Sequence, residues 1–260
     1  MQTFRHHGRS TAYRYREASG ATGSGLCCIH GSGGSHAVWE GQFELTERTP
    51  IAALDLSGHG ESEDVDADPG YETLEAYAED VVAVVDATDC RILLGHSLGG
   101  AVALWAALEH DLPLDGLVLT ATGARLAVLS DLLALLETDF EHAVDFLHGP
   151  DRFFHDPEPE TVHLSKGILA ETGQSVTVRD FNTANQFDVR GRLDELTLPA
   201  AAIVGEYDQL TPLRYHRHFT QTMDCSLLRI ENTAHLPMLE QPETFNGAVS
   251  MFLDRLDRDY

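Results

Sequence analysis

The stretch RILLGHSLGGAVALWAALEH, residues 91–110, decides how the chain folds. Its opening apolar run has the length of a buried strand, and from Leu98 the chain reads as a helix that continues to Glu109. Between them stand Gly95, His96, Ser97, Leu98 and Gly99, a G-x-S-x-G pattern placed where a strand turns sharply into a helix. A serine in such a turn brings neighbouring backbones close together, and side chains at Gly95, Gly99 and Gly100 would clash. The competing reading is an ordinary strand-to-helix turn with Ser97 as a helix N-cap.

Outward from that turn the same alternation repeats. Short apolar runs suggest strands at residues 12–17, 26–29, 51–54, 91–94, 116–120, 200–204 and 227–231. Helical patterns fall at residues 73–88, opened by Thr73 with a Thr-x-Glu signature, at 98–110, and at 242–257. This is an α/β chain with a mostly parallel sheet covered on both faces. The rhythm changes from about residue 125 to 195. Residues 124–149 read as one helix, 150–160 are rich in proline and acid, and 161–173 and 176–187 read as further helices. That segment is expected to be a helical insertion on the βα scaffold.

Three other places carry chemistry. His30, Gly31, Ser32, Gly33 and Gly34 follow a strand and form a loop whose backbone N–H groups suit a developing negative charge. A phosphate cradle competes, but no GK[ST] follows and Lys166 is far along the chain. Asp208 and His235 each end a later apolar run. A serine hydroxyl is a poor nucleophile until an imidazole removes its proton, and the imidazole needs a carboxylate to fix its tautomer. Taken singly, Asp208 reads as a turn or cap residue and His235 as a loop histidine; together with Ser97 they follow the chain order Ser, Asp, His of one hydrolase lineage. Glu206 is the local rival for the acid and is expected to point to the other side of its strand end. His59 reads as a brace for a glycine-rich turn, and neither it nor His36 as catalytic.

With HGSGGS, DLSGHGES (residues 55–62), GHSLGG, GEYDQLTP and AHLPMLEQPE in hand, the chain resembles the α/β-hydrolase superfamily, specifically its lid-bearing esterases, lactonases and C–C hydrolases. The resemblance implies a doubly wound, mostly parallel eight-stranded sheet. It implies a core of residues 1–124 and 196–260 and a helical lid (cap) of 125–195 inserted after the sixth strand. It implies catalysis by Ser97, Asp208 and His235, with an oxyanion hole from the N–H groups of Ser32 and Leu98 and Gly33 as a near alternative. Dehalogenases and epoxide hydrolases of this fold carry an aspartate where Ser97 stands, and C–C hydrolases tend toward a proline where Gly34 stands. Gly33, Trp39, Phe140, Phe146 and Phe187 are candidates for substrate contact. The competing reading makes the phenylalanines the lid's own packing, together with Phe153 and Phe154, and gives Trp39 to packing of the first helix.

Bulk properties narrow the class. A length of 260 residues, 43% hydrophobic, suits one large domain or a core with an insertion. No apolar run is long enough to cross a membrane, and the N-terminus lacks the apolar core of a secretory signal, so a cytoplasmic protein without membrane or nucleic-acid partners is expected. Against 42 acidic residues stand 17 basic ones, of which Lys166 is the single lysine, for a net charge of -25. That balance argues against nucleic-acid binding, and dispersed acid with scarce lysine resembles proteins of extreme halophiles. Cys27, Cys28, Cys90 and Cys225 form no CxxC pair and read as free thiols, and the 14 histidines match no zinc spacing. The expectation is therefore a metal- and cofactor-free serine hydrolase acting on a small or medium ester, thioester or lactone as its small-molecule partner. A C–C hydrolase, a cofactor-free haloperoxidase and a non-catalytic ligand-binding protein remain as alternatives. Paired lids or an edge strand would allow a homodimer.

Overall fold

In the computed structural model, which describes residues 1–18, 20 and 23–259, strands β1 (Gln2–His6), β2 (Arg9–Arg16), β3 (Gly25–Ile29), β4 (Ile51–Leu54), β5 (Cys90–His96), β6 (Gly116–Thr120), β7 (Ala200–Gly205) and β8 (Cys225–Ile230) form one sheet. Their spatial order is β1-β2-β4-β3-β5-β6-β7-β8. β1 pairs with β2 and β2 with β4 antiparallel, and every later pairing is parallel. Ser19, Ala21, Thr22 and Tyr260, inside the spans expected for the core, lie outside the described residues.

The central strands are buried on both faces, which is why they read as unbroken apolar runs. Successive side chains alternate between two cores. Cys27 and Ile29 pack on one face with Tyr77, Val81 and Val102, from helices α1 (Tyr71–Thr88) and α2 (Leu98–Glu109). Leu26 and Cys28 face Trp39, Phe245 and Phe252 on the other. All four cysteines are free.

Between β6 and β7 lie α3 (Ser130–Thr138), α4 (Phe140–Leu147), α5 (Pro159–Thr172) and α6 (Gln174–Gln186). The single helix expected over 124–149 is two, because Asp139 leaves helical geometry (φ -151°, ψ 78°) and its side chain accepts from His142 N to cap the second. α1 begins two residues before Thr73, whose hydroxyl donates to the Asp68 carbonyl at 2.7 Å. β1 was not expected: it is an edge strand with four of five residues exposed, so burial leaves no alternation to read. α7 (Leu213–Thr222) was also missed, since only His216 and Phe219 of its ten residues are buried. Two C-terminal helices, α8 (Pro237–Glu240) and α9 (Pro242–Asp259), complete the chain. Among the described residues no helix is long and apolar enough to cross a membrane.

Candidate active site

The carboxyl ends of β3, β5, β7 and β8 open on one side of the sheet, the usual location of sites in open parallel sheets. At the end of β5, Ser97 holds φ 54° and ψ -118°, a conformation disfavoured for a residue with a Cβ. A Cβ on Gly99 would overlap the carbonyls of Ile29 and His30, and one on Gly95 would overlap Gly99, so the turn closes only with glycine there. Core groups hold the serine's backbone: Ser97 N donates to Thr120 O at 3.0 Å, and Thr122 Oγ1 donates to Ser97 O at 2.7 Å. Thr122 N in turn donates to Nε2 of buried His216, whose pKa burial lowers to about 4, so the ring is neutral and can accept. The Ser97 side chain makes no cap hydrogen bond to α2, which removes the N-cap reading.

Asp208 and His235 meet beside this turn. His235 Nδ1 lies 2.9 Å from Asp208 Oδ2, with the two residues 3% and 5% exposed. Asp208 also accepts from Leu210 N, Thr211 N and Thr211 Oγ1. Burial opposes its charge, but His235 and these donors outweigh burial and bring its pKa down to about 2. An ionised carboxylate facing Nδ1 assigns the proton to that nitrogen and leaves the Nε2 lone pair available as a base. Glu206, the rival acid, pairs with Arg229 at 3.5 Å and accepts from Asn232 N.

The His235 loop is held from three sides. His96 Nε2 donates to His235 O at 2.9 Å, and burial above all pushes the pKa of His96 well below its usual value. His235 N and Leu236 N donate to the carbonyls of Arg152 and Phe153 in the β6–β7 segment. The Phe153 ring lies nearly parallel to the His235 ring, centroids 6.1 Å apart.

In the glycine-rich loop after β3, His30 Nε2 accepts from Leu56 N and Nδ1 donates to Gly31 O at 2.8 Å, a neutral arrangement matched by a pKa that burial and then His59 lower to about 4. Gly34 N donates to Gly31 O, and Gly33 N donates to Asp180 of α6 at 2.8 Å. Gly33 is thus committed as a donor, whereas the N–H groups of Ser32 and Leu98 meet no protein acceptor among the described residues. Asp55 of DLSGHGES accepts from His36 Nδ1, His36 N and Glu61 N, which makes that motif a buried turn brace.

Ser32, Gly33, His96, Ser97 and His235 line one cavity of about 840 Å³. Its remaining wall is largely apolar, with Leu126, Leu132, Phe153, Leu169, Phe181 and Leu239 among the contributors. Of the expected substrate contacts, Gly33 lies on this wall and the other four do not. Trp39 packs against Phe245 in the second core, Phe187 is buried in the first core, Phe146 carries the Arg152 guanidinium on its ring at 3.5 Å, and Phe140 packs at the edge of the second core. Composition alone marked these rings as apolar but not which way each helix faces. Asp180 escaped notice altogether. Its signal is in the sequence: it sits on the stripe Val176, Asp180, Ala184, where helical spacing calls for an apolar residue.

Away from the cavity, His6, His7 and Glu79 bring possible ligand atoms within 4.8 Å of one another. They already pair with neighbours: His6 with Asp80, and Glu79 with Arg9 at 3.0 Å.

The doubly wound sheet, with a strained serine turn and a buried Asp–His pair at its carboxyl edge, is hydrolase architecture. The sequence pattern of the Alpha/beta hydrolase family matches residues 28–248, and the chain belongs to that family. It is 29% identical over 244 residues to a pimeloyl-[acyl-carrier protein] methyl ester esterase of Neisseria meningitidis serogroup A, covering 87% of this chain and 75% of that protein. Among solved structures, a thermophilic esterase superposes with a TM-score of 0.84 at 28% identity, covering 98% of this chain and 97% of its own. The enol-lactonase of Burkholderia xenovorans shares the fold, with a TM-score of 0.84 at 21% identity and coverage of 95% and 98%.

Proposed function

We propose that the protein is a serine hydrolase of carboxylic esters, thioesters or lactones with a small or medium acyl group. The observation that carries this reading is the buried Asp208–His235 pair, 2.9 Å apart, whose histidine lines the same cavity as a serine with a strained backbone and a side chain that caps no helix. His235 Nε2 takes the Ser97 proton as Oγ attacks the substrate carbonyl. The oxyanion is stabilised by the N–H groups of Ser32 and Leu98, an effect worth about 3 kcal/mol per donor in comparable sites. His235 returns the proton to the departing alcohol or thiol, or to the ring oxygen that a lactone keeps within the acyl group. Water then adds to the acyl-Ser97 carbonyl, gives its proton to His235, and the acid leaves as Ser97 regains a proton.

The esterases among its relatives support ester cleavage. The largely apolar wall suits an uncharged acyl chain, and residues 125–195 supply much of that wall, as a lid would. The dispersed acidity fits work at high salt. Hydrolysis of p-nitrophenyl acetate and butyrate, compared with Ser97→Ala across salt concentration, tests the reading. Turnover lost in the variant supports it. Folded wild-type protein inactive on both esters at every salt concentration moves the weight to C–C cleavage, tested with a dienone acid, or to ligand binding.

A further inference from the structure

The Gly33 backbone is held at both of its polar groups by the β6–β7 segment. Its N–H donates to Asp180 Oδ2 at 2.8 Å, and its carbonyl accepts from Thr172 Oγ1 at 3.1 Å. The residue stands at φ 66°, and a Cβ there would come within 2.9 Å of Leu169 Cδ2, so the loop is seated directly against α5 and α6. Ser32, whose N–H the proposed mechanism uses, is the preceding residue.

Asp180 is fully buried on α6. A buried carboxylate is costly unless its oxygens are satisfied. Here Oδ2 accepts from Gly33 N and from His59 Nε2, each at 2.8 Å, and Oδ1 accepts from Tyr77 OH at 2.6 Å. Burial alone would raise the Asp180 pKa, but His59 and Tyr77 outweigh it and hold the group below its ordinary value; Asp180 in turn raises His59 against its own burial. Around this centre the His59 ring packs 4.7 Å from that of His30, and Arg179 Nη2 bonds both Tyr77 OH and Asp64. His59 and Tyr77 between them already give each carboxylate oxygen a partner, yet a further hydrogen bond joins Asp180 to the backbone of the loop beside Ser97.

We propose that Asp180 is a positioning residue for the oxyanion loop: clamped by His59 and Tyr77, its carboxylate fixes Gly33 and thereby sets the direction of the Ser32 N–H. Oxyanion donors act over a few tenths of an ångström, so a loop released from Asp180 loses transition-state stabilisation while the cavity that binds the ground state stays in place. This rests on the Ser97 hydrolase reading. The second hand on Gly33, Thr172, acts in the same sense from the carbonyl side.

The test is Asp180→Asn, which keeps the shape and loses the charge, with Thr172→Val as a milder variant. Three quantities are read: kcat and KM on p-nitrophenyl butyrate; affinity for a trifluoromethyl ketone, whose hemiketal oxyanion needs the hole, against affinity for the neutral butan-1-ol, which carries no anionic oxygen; and amide hydrogen exchange at residues 31–34. Asp180→Asn is expected to lower kcat about 10- to 100-fold with KM within about threefold, to weaken the ketone in parallel but not butan-1-ol, and to speed exchange at Gly33. Thr172→Val should show the same pattern at smaller size. A folded Asp180→Asn protein with unchanged kcat, or one that loses ketone and butan-1-ol affinity equally, overturns the proposal. If Asp180→Asn does not fold, Thr172→Val decides: a selective loss of kcat supports the clamp, and unchanged kcat overturns it. Amide exchange needs no substrate. Wild-type protein without ester turnover therefore counts against the Ser97 reading, while faster exchange at Gly33 in Asp180→Asn still supports the clamp and unchanged exchange overturns it.

Discussion

Two regions around the cavity are built on different supports. The Ser97 turn is held by the sheet and its neighbours: Thr120, Thr122, His216 behind Thr122, and the carbonyls of β3 that press on Gly99. The loops bearing Ser32 and His235 take much of their support from the segment between β6 and β7, through Asp180, Thr172, Arg152 and Phe153, with His96 of β5 adding one bond to the His235 carbonyl. Gln209 N, beside Asp208, also donates to Asp151 of that segment. The sheet thus places the hydroxyl, and the segment between β6 and β7 helps to place Ser32 and His235. In the first region stability and geometry are the same thing; in the second they separate.

Removing the hydroxyl should break function and nothing else. Because the Ser97 side chain caps no helix, Ser97→Ala is expected to lower kcat/KM by about 10⁴- to 10⁶-fold with no measurable change in thermal midpoint. A large loss of stability would mean that the hydroxyl has a structural partner, and the contrast between the regions would fail. Asp208→Asn should follow at about 10⁴-fold, measured in kcat, because an amide no longer fixes the His235 tautomer. Asp208 adds a pH signature. Its folded pKa of about 2 lies below the ordinary 3.8, so its contribution is present above pH 3.8 and is lost as pH falls through 2. The stability gap between wild type and Asp208→Asn, about 2 kcal/mol at neutral pH, should therefore close between pH 4 and pH 2 in urea titrations.

The same division explains what could be read from the chain. Ser97, Asp208 and His235 each follow an apolar run, and glycines at 95, 99 and 100 announce the turn at Ser97. Strand ends, parallel order and the helical character of the β6–β7 segment were legible for the same reason: period and punctuation are local. Asp180 lies 147 residues from its partner Gly33, and that pairing becomes visible only once the helices are docked. The direction in which Phe140, Phe146 and Phe187 face was hidden likewise, since an apolar ring packs equally well toward a core or a cavity until its neighbours are known. β1 and α7 were missed because an exposed edge and a mostly polar helix carry little hydrophobic periodicity.

A pair of glycine substitutions sharpens the contrast. In Gly99→Ala the new methyl meets backbone carbonyls that cannot swing aside, so the expected cost is about 3 kcal/mol of unfolding free energy, read from the urea midpoint. In Gly33→Ala it meets the flexible end of Leu169, and the positive φ adds about 1 to 2 kcal/mol of strain. That variant should remain folded and lose kcat by about tenfold. If Gly33→Ala proves as destabilising as Gly99→Ala, or keeps full activity, the two regions do not differ in the way described.

The smallest expected effect is also the most diffuse. At a net charge of -25 the folded chain repels itself, and salt weakens that repulsion as the screening length falls from about 10 Å at 0.1 M to about 3 Å at 1 M. Salt also weakens surface pairs such as Arg190–Asp188 and Arg192–Glu195, but ion pairs in contact with solvent contribute little to stability. The buried Asp180–His59 and Asp208–His235 contacts are largely shielded from solvent ions. Repulsion should therefore dominate the response, and the thermal midpoint should rise by several degrees between 0.1 M and 2 M NaCl. The rise should be equal in the wild type and in Ser97→Ala, because it belongs to the whole surface and to neither support of the cavity. A midpoint that falls with salt would mean that surface ion pairs outweigh the excess of acid. A rise confined to activity, with the midpoint flat, would place the salt effect in the loops that the β6–β7 segment holds.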